Sequence, residues 1–189
     1  TALADEQSHQ QLRESAQTHG HRLLIARGAL WAADDIQRMA ARDQLESVRI
    51  TMHFHPDSLR LDPGTPLYKH NEEMRRRRDS HTNSRILFSG PVREIARLAP
   101  NNVNTMATAA LVGIGFDRTT GILVADGALV DHHRIELEVI SKHRAGMESS
   151  RRFQVNTTRI SPTSAGSTAN VTSSQTFDSF WQSLLGKRY

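Results

Sequence analysis

One stretch limits this chain more than any other. Asn102 to Phe116 runs through Met106, Ala107, Ala109, Ala110, Leu111, Val112 and Ile114 without a charged residue. Elsewhere the chain is polar, so a run of this kind must be covered by other elements, and the fold has to be built around it. Its small side chains let neighbours approach closely. Asn102 is suited to cap it, its side-chain carbonyl accepting an orphan N–H of the first turn. Gly113 or Gly115 can supply the positive φ that stops it. The helix is then a core element, or its opening amides, Asn102 or Asn104, present a donor and an acceptor to a ligand. The pattern leaves both open.

The 189 residues suffice for one good core and a fragment of a second. The absence of cysteine excludes a disulfide framework, a thiolate metal site and a cysteine nucleophile, and fits a reducing compartment. No apolar run approaches the roughly 20 residues that span a bilayer, and no signal-peptide pattern opens the chain. The expectation is a soluble, cytoplasmic protein with no membrane partner. Much of the +4 net charge sits in Arg75-Arg76-Arg77-Arg78, just after Glu72 and Glu73. Such a run contacts phosphates or is a solvated helix end. Without interleaved aromatic residues or zinc-finger spacing, no nucleic-acid partner is expected.

Taken in order, Thr1 or Asp5 caps a helix through Gln7, Leu12 and Ala16, with Gly20 as its stop. Arg22 to Ala26 follows as a short apolar strand. Helix, glycine and buried strand are how a βαβ unit ends, so residues 1–27 read as the tail of a parallel-sheet domain. Arg27-Gly28-Ala29-Leu30-Trp31 is a tight strand-to-helix turn, either plain or one where small residues let a ligand reach the backbone. A helix from Trp31 to Arg42 follows. Glu46 to His55 alternates, with Val48, Ile50, Met52 and Phe54 on one side and Arg49, Thr51, His53 and His55 on the other, as in a half-exposed strand. Pro56 to Ser84 reads as a long excursion with a charged helical turn at Asn71–Arg78. Arg85–Ser89 is a strand, and Gly90-Pro91 opens a helix. Thr120–Ala125, Arg134–Ile140 and Arg151–Thr158 are strands, the last two joined as a hairpin. A closing helix carries Phe177, Phe180, Trp181, Leu184 and Leu185 on one stripe. The fold class is α+β: a mixed, largely antiparallel sheet with packed helices, preceded by the tail of a Rossmann-type α/β domain.

Asp131-His132-His133 stands at the mouth of the strand Arg134–Ile140, where a histidine suits proton transfer. Adjacent strand residues point to opposite faces, so only one of the two histidines serves a given cleft. His53-x-His55 has metal-ligand spacing but no third ligand, and reads as a surface strand. There is no P-loop and no G-x-S-x-G elbow. Gly113-Ile114-Gly115 follows a helix and has Arg118 where a dinucleotide fingerprint needs its third glycine, so it is set aside.

Several pieces together resemble the L-aspartate dehydrogenases. They are Arg27-Gly28-Ala29-Leu30-Trp31, Ser89-Gly90-Pro91-Val92-Arg93-Glu94, Pro100-Asn101-Asn102-Val103-Asn104, Gly113-Ile114-Gly115-Phe116-Asp117-Arg118, Val124-Ala125-Asp126 and His133, in that order. The ending Phe180-Trp181-Gln182-Ser183-Leu184-Leu185 is similar to the animal branch. The resemblance covers essentially the whole chain. It implies an N-terminal Rossmann domain, of which residues 1–27 are the end, and an α+β catalytic and substrate domain at residues 28–189. It implies NAD- or NADP-dependent oxidation of L-aspartate to iminoaspartate, which hydrolyses to oxaloacetate and ammonia and feeds NAD biosynthesis. By the same resemblance His133 is the catalytic acid/base, and Ala29 and Asn104 bind the cofactor. No metal is implied. The chain departs from many bacterial relatives at Ala32-Ala33, where they have glycines, and at Asp131-His132-His133. A homodimer is expected, because the strands and the aromatic closing helix need cover. The alternative reading is a non-catalytic or weakly catalytic dimerising module of the same fold.

Overall fold

The computed structural model describes residues 1–23, 25–28, 30–76, 84–143, 152–163 and 174–185. Strand β1 (Leu45–Phe54) alternates as its sequence dictates, with Val48, Ile50, Met52 and Phe54 all buried. The other strands are β2 (Ser84–Pro91), β3 (Thr120–Asp126), β4 (His132–Ser141) and β5 (Gln154–Pro162). They form one sheet in the order β2-β3-β1-β4-β5. Strands β1 and β3 run parallel; β1–β4, β2–β3 and β4–β5 are antiparallel. The mixed, largely antiparallel sheet is thus as expected.

Helices α2 (Ala33–Ala41), α4 (Val92–Leu98) and α5 (Asn104–Val112) pack against this sheet. α5 is the uncharged run, and Met106, Ala107, Ala109, Ala110 and Val112 are all buried. Gly115 takes a φ of +90°, which a side chain would resist, and so turns the chain away after α5. Asp5 caps α1 (Glu6–Thr18) by accepting from the Ser8 amide at 2.8 Å. Arg93 of α4 reaches back to donate to the Ala4 carbonyl at 2.5 Å while forking onto Asp117 at 2.6 and 2.8 Å. The opening segment is thereby fastened to the sheet domain.

Four expectations need correction. Residues 22, 23, 25 and 26 form no strand, because no strand of the sheet offers them a hydrogen-bonding partner. The excursion after β1 is more helical than its prolines suggested: a short 3-10 turn at Pro56–Ser58 precedes α3 (Pro66–Arg76), which buries Leu67, Asn71 and Met74. Asn102 does not cap α5. Val103 occupies that position, without a side-chain cap bond. Asn102 is 1% exposed and faces the segment after β1, accepting from the Arg60 amide at 3.0 Å and donating to the Ser58 carbonyl at 3.5 Å. Finally, β4 begins at His132, so both histidines lie inside the strand rather than before it.

Ala32 precedes α2 with φ 60° and ψ 19°, a left-handed conformation that costs a residue with a Cβ about 1–2 kcal/mol. A glycine at this position would avoid that cost.

Candidate active site

The C-terminal end of β1 meets His133, one of the predicted site residues. Its last residue, Phe54, is 1% exposed, and its ring meets the His133 ring edge-on at 4.7 Å with an interplanar angle of 66°. His133 is itself 5% exposed and alternates with Ile135, Leu137 and Val139 on the buried face of β4. His132 points the other way and pairs with Asp131 at 2.6 Å, which holds the Asp131 carboxyl below its usual range. The opposite-face argument therefore separates the two histidines as expected.

From Phe54 the chain runs through the 3-10 turn to Ser58 and Arg60, which Asn102 grips. Asn71 of α3 holds the same turn from another side, donating to the Pro56 carbonyl at 2.9 Å. Two residues beyond Asn102, Asn104 opens α5 with its side chain exposed. Gly28, at a φ of +59°, lies over the same helix: a Cβ there would stand 3.8 Å from Thr108 Oγ1. Thr108 Oγ1 in turn donates to the Asn104 carbonyl at 3.0 Å. Arg27 ion-pairs with Asp34 in the first turn of α2, anchoring that turn. The Gly28 turn and Asn104 thus share the first turns of α5, while Phe54, in contact with His133, opens the segment that Asn102 holds. Ala29 lies outside the described residues.

These parts fit a nicotinamide group. Val103, at the N-cap of α5, makes no side-chain cap bond. The exposed Asn104 carboxamide carries one acceptor and two donors, which complement a ligand carboxamide.

The other face of the sheet is a different environment. His53 is 7% exposed rather than on an open polar face, because β4 covers it: Arg134 Nη2 lies 3.0 Å from its Nδ1, and Glu136 Oε2 3.5 Å from its Nε2. Among the described residues no group of three or more metal-binding side chains forms around it or elsewhere. An open hollow of about 320 Å³ on this face is lined by Arg49, Thr51, Ile122, Glu136, Glu138 and Thr158, and includes no predicted site residue. In the arginine run, Arg75 is bound by Asp57 and Glu72 at 2.6 Å each, while Arg77 and Arg78 lie outside the described residues.

Burial first, and the Arg134 guanidinium second, lower the pKa of His53, outweighing Glu136 and Asp126. The folded protein therefore resists a proton that the unfolded chain accepts below its ordinary value of 6.5. Stability from this residue is complete above that value and lost as pH falls through the lower folded one. The slope is at most about 1.4 kcal/mol per pH unit for one proton. Urea midpoints between pH 5 and 8 should fall less steeply toward acid in His53→Gln than in the wild type; equal slopes would contradict the assignment.

The sequence family described as "Aspartate dehydrogenase, C-terminal" matches residues 35–183. The chain is 42% identical over 189 residues to the Aspartate dehydrogenase domain-containing protein of Xenopus tropicalis, covering 98% of this chain and 61% of that protein. It is 40% identical to the protein of the same name from Danio rerio, covering 98% and 60%. Against the L-aspartate dehydrogenase of Pseudomonas aeruginosa the identity is 37% over 137 residues, covering 71% of this chain and 48% of the enzyme. The chain therefore spans about three-fifths of the length of the animal relatives.

Proposed function

The chain belongs to the aspartate dehydrogenase family, through that family's C-terminal domain, and on that premise we propose that it is the substrate domain of a nicotinamide-dependent oxidoreductase acting on the CH–NH2 group of L-aspartate. What supports the reading is that the segment leaving Phe54, the neighbour of His133, is held by Asn102, two residues before Asn104 opens α5. In this reading residues 1–27 are the tail of a Rossmann domain. L-Aspartate and NAD+ or NADP+ give iminoaspartate, the reduced cofactor and a proton. Water then converts iminoaspartate to oxaloacetate and ammonia, unless it is used in NAD biosynthesis.

The cofactor, when bound, supplies the hydride acceptor. Asn104 would hold its carboxamide, and the Gly28-Ala29 turn would lie against it. His133 takes a proton from the substrate amine as the Cα–N bond gains double-bond character, and returns one in the reverse direction. Its burial against Phe54 fixes the ring and keeps bulk water away from that proton. The test is aspartate-dependent reduction of NAD+ and NADP+ by the full-length protein. Absence of turnover with either cofactor, in protein that binds a dinucleotide, would refute the catalytic reading and favour a non-catalytic module.

A second copy of the chain is the partner that the charged sheet face supports. Arg49 pairs with Glu138 at 3.2 Å, and Arg134 lies 3.2 Å from Glu136. Both signs thus alternate across a face that also carries exposed Ile86 and Ile160. Such a surface complements itself under a two-fold axis. Light scattering of the full-length protein should give twice the monomer mass, and Ile160→Asp should lower it. A wild type that is monomeric at micromolar concentration would rule the dimer out.

A further inference from the structure

We propose that Arg159 and Ser161 of β5 recognise a carboxylate of the dicarboxylate substrate beside His133. The identity of that substrate rests on the aspartate reading above; the recognition chemistry does not.

The register carries the argument. His133 pairs with Ser161 and Ile135 with Arg159 across the β4–β5 ladder. Directly paired residues share a face, so Arg159 and Ser161 both stand on the His133 side of the sheet, together with Ile135 and Leu137. Opposed Cβ atoms in such a ladder lie about 4.5–5.5 Å apart, and residues two apart on a strand roughly 7 Å. A substrate small enough to meet His133 is therefore within reach of both side chains.

Their surroundings fit an anion. Ser161 is 5% exposed, and its Oγ lies buried without a hydrogen-bond partner among the described residues. A hydroxyl removed from water in this way has a donor to give to an incoming oxygen. Arg159 is half-buried, and its loss of water lowers the guanidinium pKa. The planar fork of arginine matches a carboxylate with two parallel bonds. Arg134, the neighbouring cation on β4, faces the opposite way, toward His53, Asp126 and Glu136. Residues of β5 therefore give the site a means of preferring two carboxylates over one.

The experiment is calorimetric titration of the full-length, NAD+-loaded protein with succinate, which cannot react, and with butyrate, which lacks the second carboxylate. The wild type should bind succinate at least about tenfold more tightly. Arg159→Leu should bring the two affinities together, and Ser161→Ala should narrow the gap several-fold. If Arg159→Leu fails to fold, Arg159→Lys keeps the charge without the fork and should weaken succinate about tenfold while leaving butyrate unchanged. A wild type without preference, or variants that retain it, would overturn the proposal. So would an equal loss for both ligands, which marks a structural role. Succinate preference that depends on Arg159, in a protein with no aspartate turnover, would refute the aspartate reading and leave this one standing.

Discussion

Replacement of His133 by alanine should lower aspartate turnover by roughly a hundredfold to ten-thousandfold, the range expected when a positioned acid/base is removed. The loss should fall on kcat, since in its proposed role the histidine acts on a proton in transit rather than on the resting substrate. Dinucleotide affinity should be nearly unchanged, because the proposed cofactor contacts are Asn104 and the Gly28 turn along α5 rather than the histidine ring. His132→Ala is the internal control. That residue lies on the opposite face of β4 from His133 and is held by exposed Asp131, so turnover should stay within a few-fold of the wild type. The ring of His133 is also a buried packing group, so folding has to be followed in parallel by circular dichroism, with His133→Asn as a smaller perturbation. Turnover within tenfold of wild type in a folded His133→Ala protein would remove the residue from the chemistry. Loss of the fold in both variants would make it structural.

Phe54→Ala should be the most damaging of the substitutions to stability, costing about 3–5 kcal/mol for the lost burial and the cavity left behind. Phe54 is among the largest fully buried side chains and closes β1 between β3, where it pairs with Ala125, and the His133 ring. The edge-on contact adds about 0.5–1.5 kcal/mol beyond area alone. Phe54→Leu should recover most of the stability but not that contact. It should therefore fold well yet show reduced kcat, because His133 loses the wall that orients it. Urea unfolding of the three proteins, with turnover measured where each is folded, separates packing from orientation. A cost below about 1 kcal/mol for Phe54→Ala would contradict the packing described for this end of the sheet.

The parts of the fold that sequence revealed were those written in local periodicity. The alternation of Val48, Ile50, Met52 and Phe54, and the uncharged run of α5, each require one kind of element. What stayed hidden depended on partners distant in sequence. Asn102 has the composition of a cap, but its amide is engaged by Ser58 and Arg60, which no local rule links to it. His53 occupies a polar position by alternation and is buried only because Arg134 and Glu136 lie across the ladder. α3 was obscure because its buried residues, Leu67, Asn71 and Met74, are few and one of them is polar. Among the site residues, His133 was visible as a histidine near a strand and through family resemblance. Arg159 and Ser161 were not, since β5 is polar on both sides and only its register against β4 shows which of its residues share a face with His133.

The position of β1 also has a consequence for how the molecule is made. It is the first strand of the sheet to leave the ribosome and the central one in the finished fold, yet all its partners lie beyond residue 119. Through the synthesis of β2, α4 and α5 both of its edges stay unsatisfied. The β4–β5 hairpin can form on its own from neighbouring sequence, whereas the parallel β1–β3 pairing must wait for a long loop to close. Assembly of this domain is therefore expected to be late and concerted, with nascent β1 as the segment most in need of a chaperone.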